Sequence, residues 1–458
     1  MPMDRRRFLK LVGGLTGLAL LAPWDLLEWF DLDARAAGVP LPQYYRVRPP
    51  ILVTDFSSTT GMTLTQGTGA VALDTDQTKV RTGTASLKIQ QAASASSALV
   101  DLDCRNAVFG GSGSEGFLSA TDHLWHLRCF VDVPNNQNNL SFFPSNTAGG
   151  FVDYWTQNVM GPQISTTRPG YWWDRVEGRP DWTIGGGSPS WNTPIRTLRI
   201  RPNANANGAL TTWCDALYRG GYARPQILFV FDDSNVEQYT IAKPILDTYG
   251  IKSTFYLIAD PISRNVGGSM TEAQAAQLYA EGHDLAFHQW TNGYNNYAEL
   301  TSAQLAEECD QWIAYAGKMG WTRAMHHLAY PQAVTNSSII QTVQSKGFET
   351  ARGTLRLHQQ HLLGLDNPYD IRGWMWASTD GTAGAIAWMN NAVKYGCSLP
   401  LGFHQFHATV SSGAQISATD FTTICAYAKL LERAGLADLA VVSQWKQGID
   451  AVVRPVRP

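Results

Sequence analysis

The sequence predicts two domains of different class: an all-β sandwich or jelly roll, then an α/β domain built as a barrel or a wound sheet. Three observations carry this. The chain has 458 residues, and a domain takes about 100–200. Residues 51–221 read as short strands separated by Gly, Asn, Ser and Pro clusters, with no sustained helical period. From residue 226 onward strand and helix alternate roughly seven times, the mark of parallel strands joined by crossover helices. The expected boundaries are 1–36 and 37–50 for a leader and linker, 51–221 for the β domain and 222–458 for the α/β domain.

The leader comes first. Asp4-Arg5-Arg6-Arg7-Phe8-Leu9-Lys10 and the apolar run 11–22 resemble a twin-arginine export signal. The run is about a dozen residues, short of the ~20 that span a bilayer. Ala34-Arg35-Ala36 fits a small-x-small cleavage site. Residues 1–36 are therefore expected to be a signal peptide, and the mature chain to be periplasmic or extracellular without a stable membrane span. Export permits disulfides. Cys104, Cys129, Cys214, Cys309, Cys397 and Cys425 contain no C-x-x-C pair, which disfavours a zinc ribbon, and their connectivity stays open.

In the β domain the expected strands include 63–66, 70–73, 85–89, 98–102, 124–133 and 197–201. Thr82-Gly83-Thr84-Ala85-Ser86-Leu87-Lys88 resembles a G-x-x-S-L-x strand of carbohydrate-binding jelly rolls, and Trp213-Cys214-Asp215-Ala216-Leu217 resembles their last strand. Tyr171, Trp172, Trp173, Trp182 and Trp191 gather in Gly/Pro/Ser-rich sequence. Flat indoles there serve either as a sugar platform or as core. Charged residues are only 16% of the chain, and the net charge is −3. That argues against nucleic acid, whose binders show a basic face, and suits a neutral polymer such as a glycan.

In the α/β domain the expected strands are 226–231, 252–258, 284–288, 325–329, 349–352, 371–376, 399–406 and 439–442. Helices are expected over 236–249, 271–280, 301–319, 336–346, 381–395 and 418–434, with Thr301 as an N-cap. Chemistry-bearing residues fall at strand ends, where α/β barrels keep their catalytic groups. Asp232 and Asp233 close the first strand, His288 the third, and Tyr330 and Pro331 follow the fourth. His404 lies near the end of 399–406. Strand neighbours point to opposite sides, so Asp232 and Asp233 are free to take different jobs. Capping the next helix is the alternative. His288 and Asn292 are four apart and are candidate metal ligands. His283, at odd spacing from His288, is expected to be structural.

The motif order resembles the polysaccharide deacetylase domain, the NodB-homology or carbohydrate esterase family 4 domain, over residues 226–445. Phe231-Asp232-Asp233 stands for its T-F-D-D, and Gly282-His283-Asp284-Leu285-Ala286-Phe287-His288 for its G-H-E-I-G-x-H. Ala329-Tyr330-Pro331, Gly347-Phe348-Glu349-Thr350-Ala351 and Leu401-Gly402-Phe403-His404 match its later motifs. Val441-Val442-Ser443-Gln444-Trp445 resembles its closing strand. The resemblance implies a distorted (β/α)7 barrel behind the jelly-roll sandwich, and a polysaccharide substrate. It implies a divalent metal, Zn2+ first, with Co2+, Ni2+ or Mn2+ as alternatives. Asp232 becomes the general base, His404 the general acid, and Asp233, His288 and Asn292 the metal ligands. The Gln332 N–H, after Pro331, becomes the oxyanion donor, with Tyr330 on the substrate; apart from the resemblance, Trp172, Trp173 and Trp182 of the aromatic segment are the candidate sugar platform.

Two departures stand out. Asn292 replaces a family histidine, and Ala329 occupies the third motif's arginine position. Arg372 is then expected to orient Asp232; His326 and His327 could supply a replacement ligand, at most one of them, because strand neighbours face opposite ways. The resemblance implies a metal-dependent N-deacetylase. An O-acetyl esterase and a non-catalytic glycan-binding protein on a degenerate scaffold are the alternatives.

Overall fold

A computed structural model describes residues 50–109, 124–133, 136–158, 172–178, 183–221, 223–353, 368–411 and 413–453. The chain divides into two compact units, one taking Arg48–Gly221 and the other continuing from Tyr222.

The first unit is antiparallel throughout. Its strands are β1 (Ile51–Thr54), β2 (Met62–Thr65), β3 (Ala70–Asp74), β4 (Ser86–Gln91), β5 (Leu99–Asp103) and β6 (Leu124–Val131). There follow β7 (Gln137–Ser145), β8 (Tyr154–Asn158), β9 (Trp172–Gly178), β10 (Thr183–Gly186), β11 (Thr197–Ala204) and β12 (Leu210–Arg219). One sheet runs β3-β4-β12-β6-β9 with β1 also on β12, and the other runs β10-β8-β7-β11-β5-β2. Alternation along β11 shows why these segments form a sandwich: Leu198 and Ile200 are fully buried, while Arg199 and Arg201 face the other way. Leu87, Ile89, Leu127 and Leu217 from the first sheet share one core with Val100, Leu102 and Phe142 from the second. All six cysteines of the chain are buried.

The second unit is a parallel sheet wrapped by helices. Its strands are β13 (Gln226–Phe231), β14 (Thr254–Ile258), β15 (Asp284–Gln289), β16 (His327–Ala329), β17 (Thr350–Arg352), β18 (Trp374–Met375) and β19 (Leu399–Phe403). They order as β17-β16-β15-β14-β13-β19-β18. A parallel bridge from Arg352 to Ile371, three residues before β18, brings the two ends of that path to one stretch of chain. A short pair, β20 (Gln405–Phe406) and β21 (Gln415–Ile416), stands apart from the main sheet, and β22 (Asp438–Leu439) adds to β13 at Gln226 and Ile227.

Strand parity sorts this unit into two apolar faces. Ile227, Phe229 and Phe231 pack in the helix-covered core, where Phe231 stacks on Phe255 at 4.7 Å. Leu228 and Val230 point the other way and meet Tyr256, Ala286 and Ala329. The same parity carries Asp232, His288, Arg352 and His404 onto that second face. The capping box expected at Thr301 is present, with Gln304 as its partner.

Two expectations are corrected. The strand expected over 439–442 ends at Leu439, and Val442–Val453 is a helix. Val442, Trp445 and Ile449 recur at helical spacing and are buried together against β13 residues. The strand expected over 399–406 breaks at His404 into β19 and β20. Among the described residues no helix is long and apolar enough to cross a membrane.

Candidate active site

A cavity of about 780 Å³ opens beyond the carboxyl ends of β13, β15 and β19. Its lining includes Asp232, Asp233, His288, Asn292, Gln332 and His404. Asp232 is 3% exposed. An ionised carboxylate survives there only with a partner, and Arg352 Nη2 donates to its Oδ1 at 2.5 Å and Oδ2 at 2.7 Å. Burial alone would raise the Asp232 pKa. The Arg352 guanidinium, with His288 and His404, outweighs it and holds the carboxyl below its ordinary value. Arg352 is itself 2% exposed, donates through Nη1 to the Gly353 carbonyl at 3.1 Å, and lies 4.9 Å from the Tyr256 ring centroid. His404 Nε2 stands 3.7 Å from Asp232 Oδ2, too long for a hydrogen bond. The two groups therefore face one space without neutralising each other.

Beside them is a second acid–imidazole pair. His288 Nδ1 lies 2.8 Å from the Ala329 carbonyl, which can only accept, so Nδ1 carries a proton. In the neutral ring, Nε2 then offers a lone pair, and it faces Asp233 Oδ1 at 3.3 Å. Two acceptors so placed call for positive charge between them. Burial pushes the His288 pKa down, but the Asp233 hydrogen bond and the charges of Asp232 and Asp233 prevail and raise it. A divalent cation fits this donor set of one carboxylate and one imidazole.

Asp233 reaches His288 by an unexpected route. Its φ is 73° and that of Ser234 is 58°, so the chain leaves β13 through left-handed residues. The expectation that neighbouring carboxylates diverge holds for a strand, and the strand ends at Phe231. Both carboxylates line the same cavity. Gln332 and Ala333 are left-handed too, at 53° and 56°. Strain of this kind costs about 1–3 kcal/mol per residue and gathers at functional sites. The Ala333 and Val334 amides are spent on the carbonyls of Tyr330 and Pro331.

Asn292 lines the cavity on a loop that Glu308 holds from beneath. Glu308 accepts from the Trp290 and Thr291 amides at 2.9 and 3.2 Å, and from the Tyr294 hydroxyl at 2.5 Å. Pro331 lines the cavity as well. Tyr330, expected on the substrate, lines the cavity, but the residue is 2% exposed and its hydroxyl donates to the Tyr369 carbonyl at 2.9 Å. It builds the wall. The guanidinium on Asp232 comes from Arg352, in the place expected of Arg372. Arg352 follows Ala351 directly at the end of β17, and the strand-end rule that singled out Asp232 and His288 applies to it equally. His327 is buried and pairs through Nδ1 with Thr350 Oγ1 at 2.7 Å, so it is no replacement ligand. Trp172 and Trp173 lie on β9 opposite Phe130 and Cys129. Trp182 lies outside the described residues. Trp191 stacks on the core residue Trp155 at 3.8 Å, so this indole is a packing group.

Asp247, Glu281 and His283 also bring ligand atoms within 4.8 Å of one another, before the start of β15. Lys243 Nζ already lies 2.6 Å from Asp247 and 2.7 Å from Glu281. His283 Nδ1 accepts the Ser253 amide at 3.1 Å, which puts the ring proton on Nε2 and leaves no lone pair there for an ion. This cluster is an ammonium–carboxylate network.

A polysaccharide deacetylase family model matches residues 220–351. No curated protein is significantly similar to the chain. Among solved structures, a Streptococcus pyogenes deacetylase in complex with acetate is 20% identical over 32% of this chain, at a TM-score of 0.29. The chain spans 63% of that protein's length. A family 4 acetyl xylan esterase from Clostridium thermocellum, in complex with a cobalt ion, is 15% identical over 50% of this chain and 96% of its own, at a TM-score of 0.34. A peptidoglycan deacetylase from Bacillus subtilis is 14% identical over 50% of this chain and 92% of its own, at a TM-score of 0.33.

Proposed function

We propose that this chain is a metal-dependent hydrolase that removes N-acetyl groups from an amino-sugar polysaccharide. The carrying observation is the pair of acid–imidazole couples in one cavity, Asp232 with His404 and Asp233 with His288. Each couple suits a different task. Asp232, held ionised by buried Arg352, is a base that takes a proton from attacking water. His404, at 27% side-chain exposure, is open to the cavity and gives a proton to the leaving nitrogen. Asp233 and His288, with Asn292 as a neutral third donor, would hold the cation. When bound, a divalent cation supplies Lewis acidity toward the acyl oxygen and lowers the pKa of nearby water. The Gln332 amide, in its left-handed turn, is a candidate donor to the oxyanion.

The first unit we read as a jelly-roll-type domain that holds the polymer, and residues 1–36 as an export signal. Zn2+ is the first metal to try. Acetate release from N-acetylglucosamine oligomers is expected, with loss on chelation and return on adding Zn2+. Asp232→Asn and His404→Ala are each expected to lower kcat by about 10²–10⁴-fold. Full activity of Asp233→Ala, or no release from any N-acetylated glycan, rejects this reading. Faster release from acetylxylan than from chitin oligomers would assign the same site to ester hydrolysis.

A further inference from the structure

We propose that Gln238 is a positioning residue that sets the separation between Asp232 and His404. The inference rests on the roles given to those two residues above. The β13–β19 ladder ends at Phe231 opposite Phe403, and its last bond runs from the Asp232 amide to the Phe403 carbonyl at 3.1 Å. Beyond this point the two chains part to open the cavity. His404 sits in the one-residue gap between β19 and β20. The carbonyls of Asp232 and His404 have thus left the sheet, and buried carbonyls need donors.

One side chain serves both. Gln238 is fully buried, and its Nε2 donates to the Asp232 carbonyl at 2.5 Å and to the His404 carbonyl at 2.8 Å. Both amide hydrogens are used. Asn235 Nδ2 adds a longer bond to the His404 carbonyl at 3.3 Å. Gln238 opens a π-helical turn, Gln238–Ala242, ahead of the α-helix Lys243–Tyr249. Such turns are rare and occur often at functional sites. The bridge ties the main chains from which base and acid project. It therefore fixes the 3.7 Å between Asp232 Oδ2 and His404 Nε2, a spacing at which the base can face the attacking water and the acid the leaving nitrogen without the two groups binding each other. Gln238 does not touch the substrate in this scheme, since it is not among the cavity-lining residues.

Gln238→Met keeps the side-chain length and removes both donors. A misplacement of about 1 Å costs on the order of 10²-fold in rate, so kcat is expected to fall by about that factor. KM and Zn2+ affinity should stay within about threefold, because Asp233, His288 and the cavity wall are unchanged. Gln238→Asn is one methylene too short to reach both carbonyls, and the same split is expected. A crystal structure of either variant should show the Asp232–His404 separation changed. That readout holds even if the parent hydrolyses no N-acetylated glycan, so failure of the deacetylase reading is told apart from failure of the bridge. An unchanged separation, a kcat near the parent's, an equal fall in kcat and metal affinity, or loss of folding in both variants overturns the assignment.

Discussion

Arg352 decides the state of Asp232. Burial at 3% exposure pushes the carboxyl toward its protonated form, and the Arg352 guanidinium opposes it. Removing one partner of a buried pair leaves an uncompensated charge and costs about 3–5 kcal/mol. Arg352→Met is therefore expected to destabilise the second unit by that amount and to abolish turnover. Adding Asp232→Asn should return much of the stability but none of the activity. Urea unfolding of the single and double variants checks this, and an additive second loss would show that the pair is not coupled. Asp232, Asp233, His288 and His404 were legible because unlike residues close apolar strands. Arg352 carries no local signal of its partner, because the end of β17 meets Asp232 only after the sheet curls. Arg372 was expected in its place, on a motif likeness that carries no geometry.

At the scale of elements, the constraint falls on strand β19. A Cβ at Gly402 would meet Met375 Sδ at 2.0 Å and Cε at 2.3 Å. Met375 also lies 3.2 Å from Arg352 Nη1. Overpacking of this kind costs about 1–3 kcal/mol. Gly402→Ala is expected to lower stability within that range and to lower kcat, by pressing Met375 into the guanidinium that holds Asp232. A thermal melt with kinetics tests it, and a melt shift without a kinetic effect would separate β19 packing from the site. Strands and caps were readable here because apolar parity and Thr301-x-x-Gln304 are local signals. The strand expected over 439–442 reaches one residue into the helix Val442–Val453: Val441 and Val442 are β-branched, and burial of Trp445 at the helical interval makes Val442 a helix start.

At the scale of the whole molecule, buried neutral histidines couple stability to pH. Burial pushes the pKa down to about 4 for His126 and His283 and to about 3 for His327. The unfolded chain takes up protons at such rings near 6.5. The folded chain does so only near 4 or below, so stability is full above about pH 6.5 and is lost as pH falls toward 4. Each ring contributes on the order of 3 kcal/mol across that window. His126 belongs to the first unit, and His283 and His327 to the second, so both units are expected to weaken together. Urea midpoints that stay constant from about pH 7 to about pH 4.5 would falsify the claim. The sequence by itself determined the two-class architecture and the strand ends at which Asp232 and His288 sit, because periodicity and composition act locally. Only the tertiary structure decided which cation holds Asp232, where Asp233 turns, and that Gln238 spans the gap between the Asp232 and His404 carbonyls. Those relations join residues as far apart in the chain as Asp232 and His404, and nothing in local spacing encodes them.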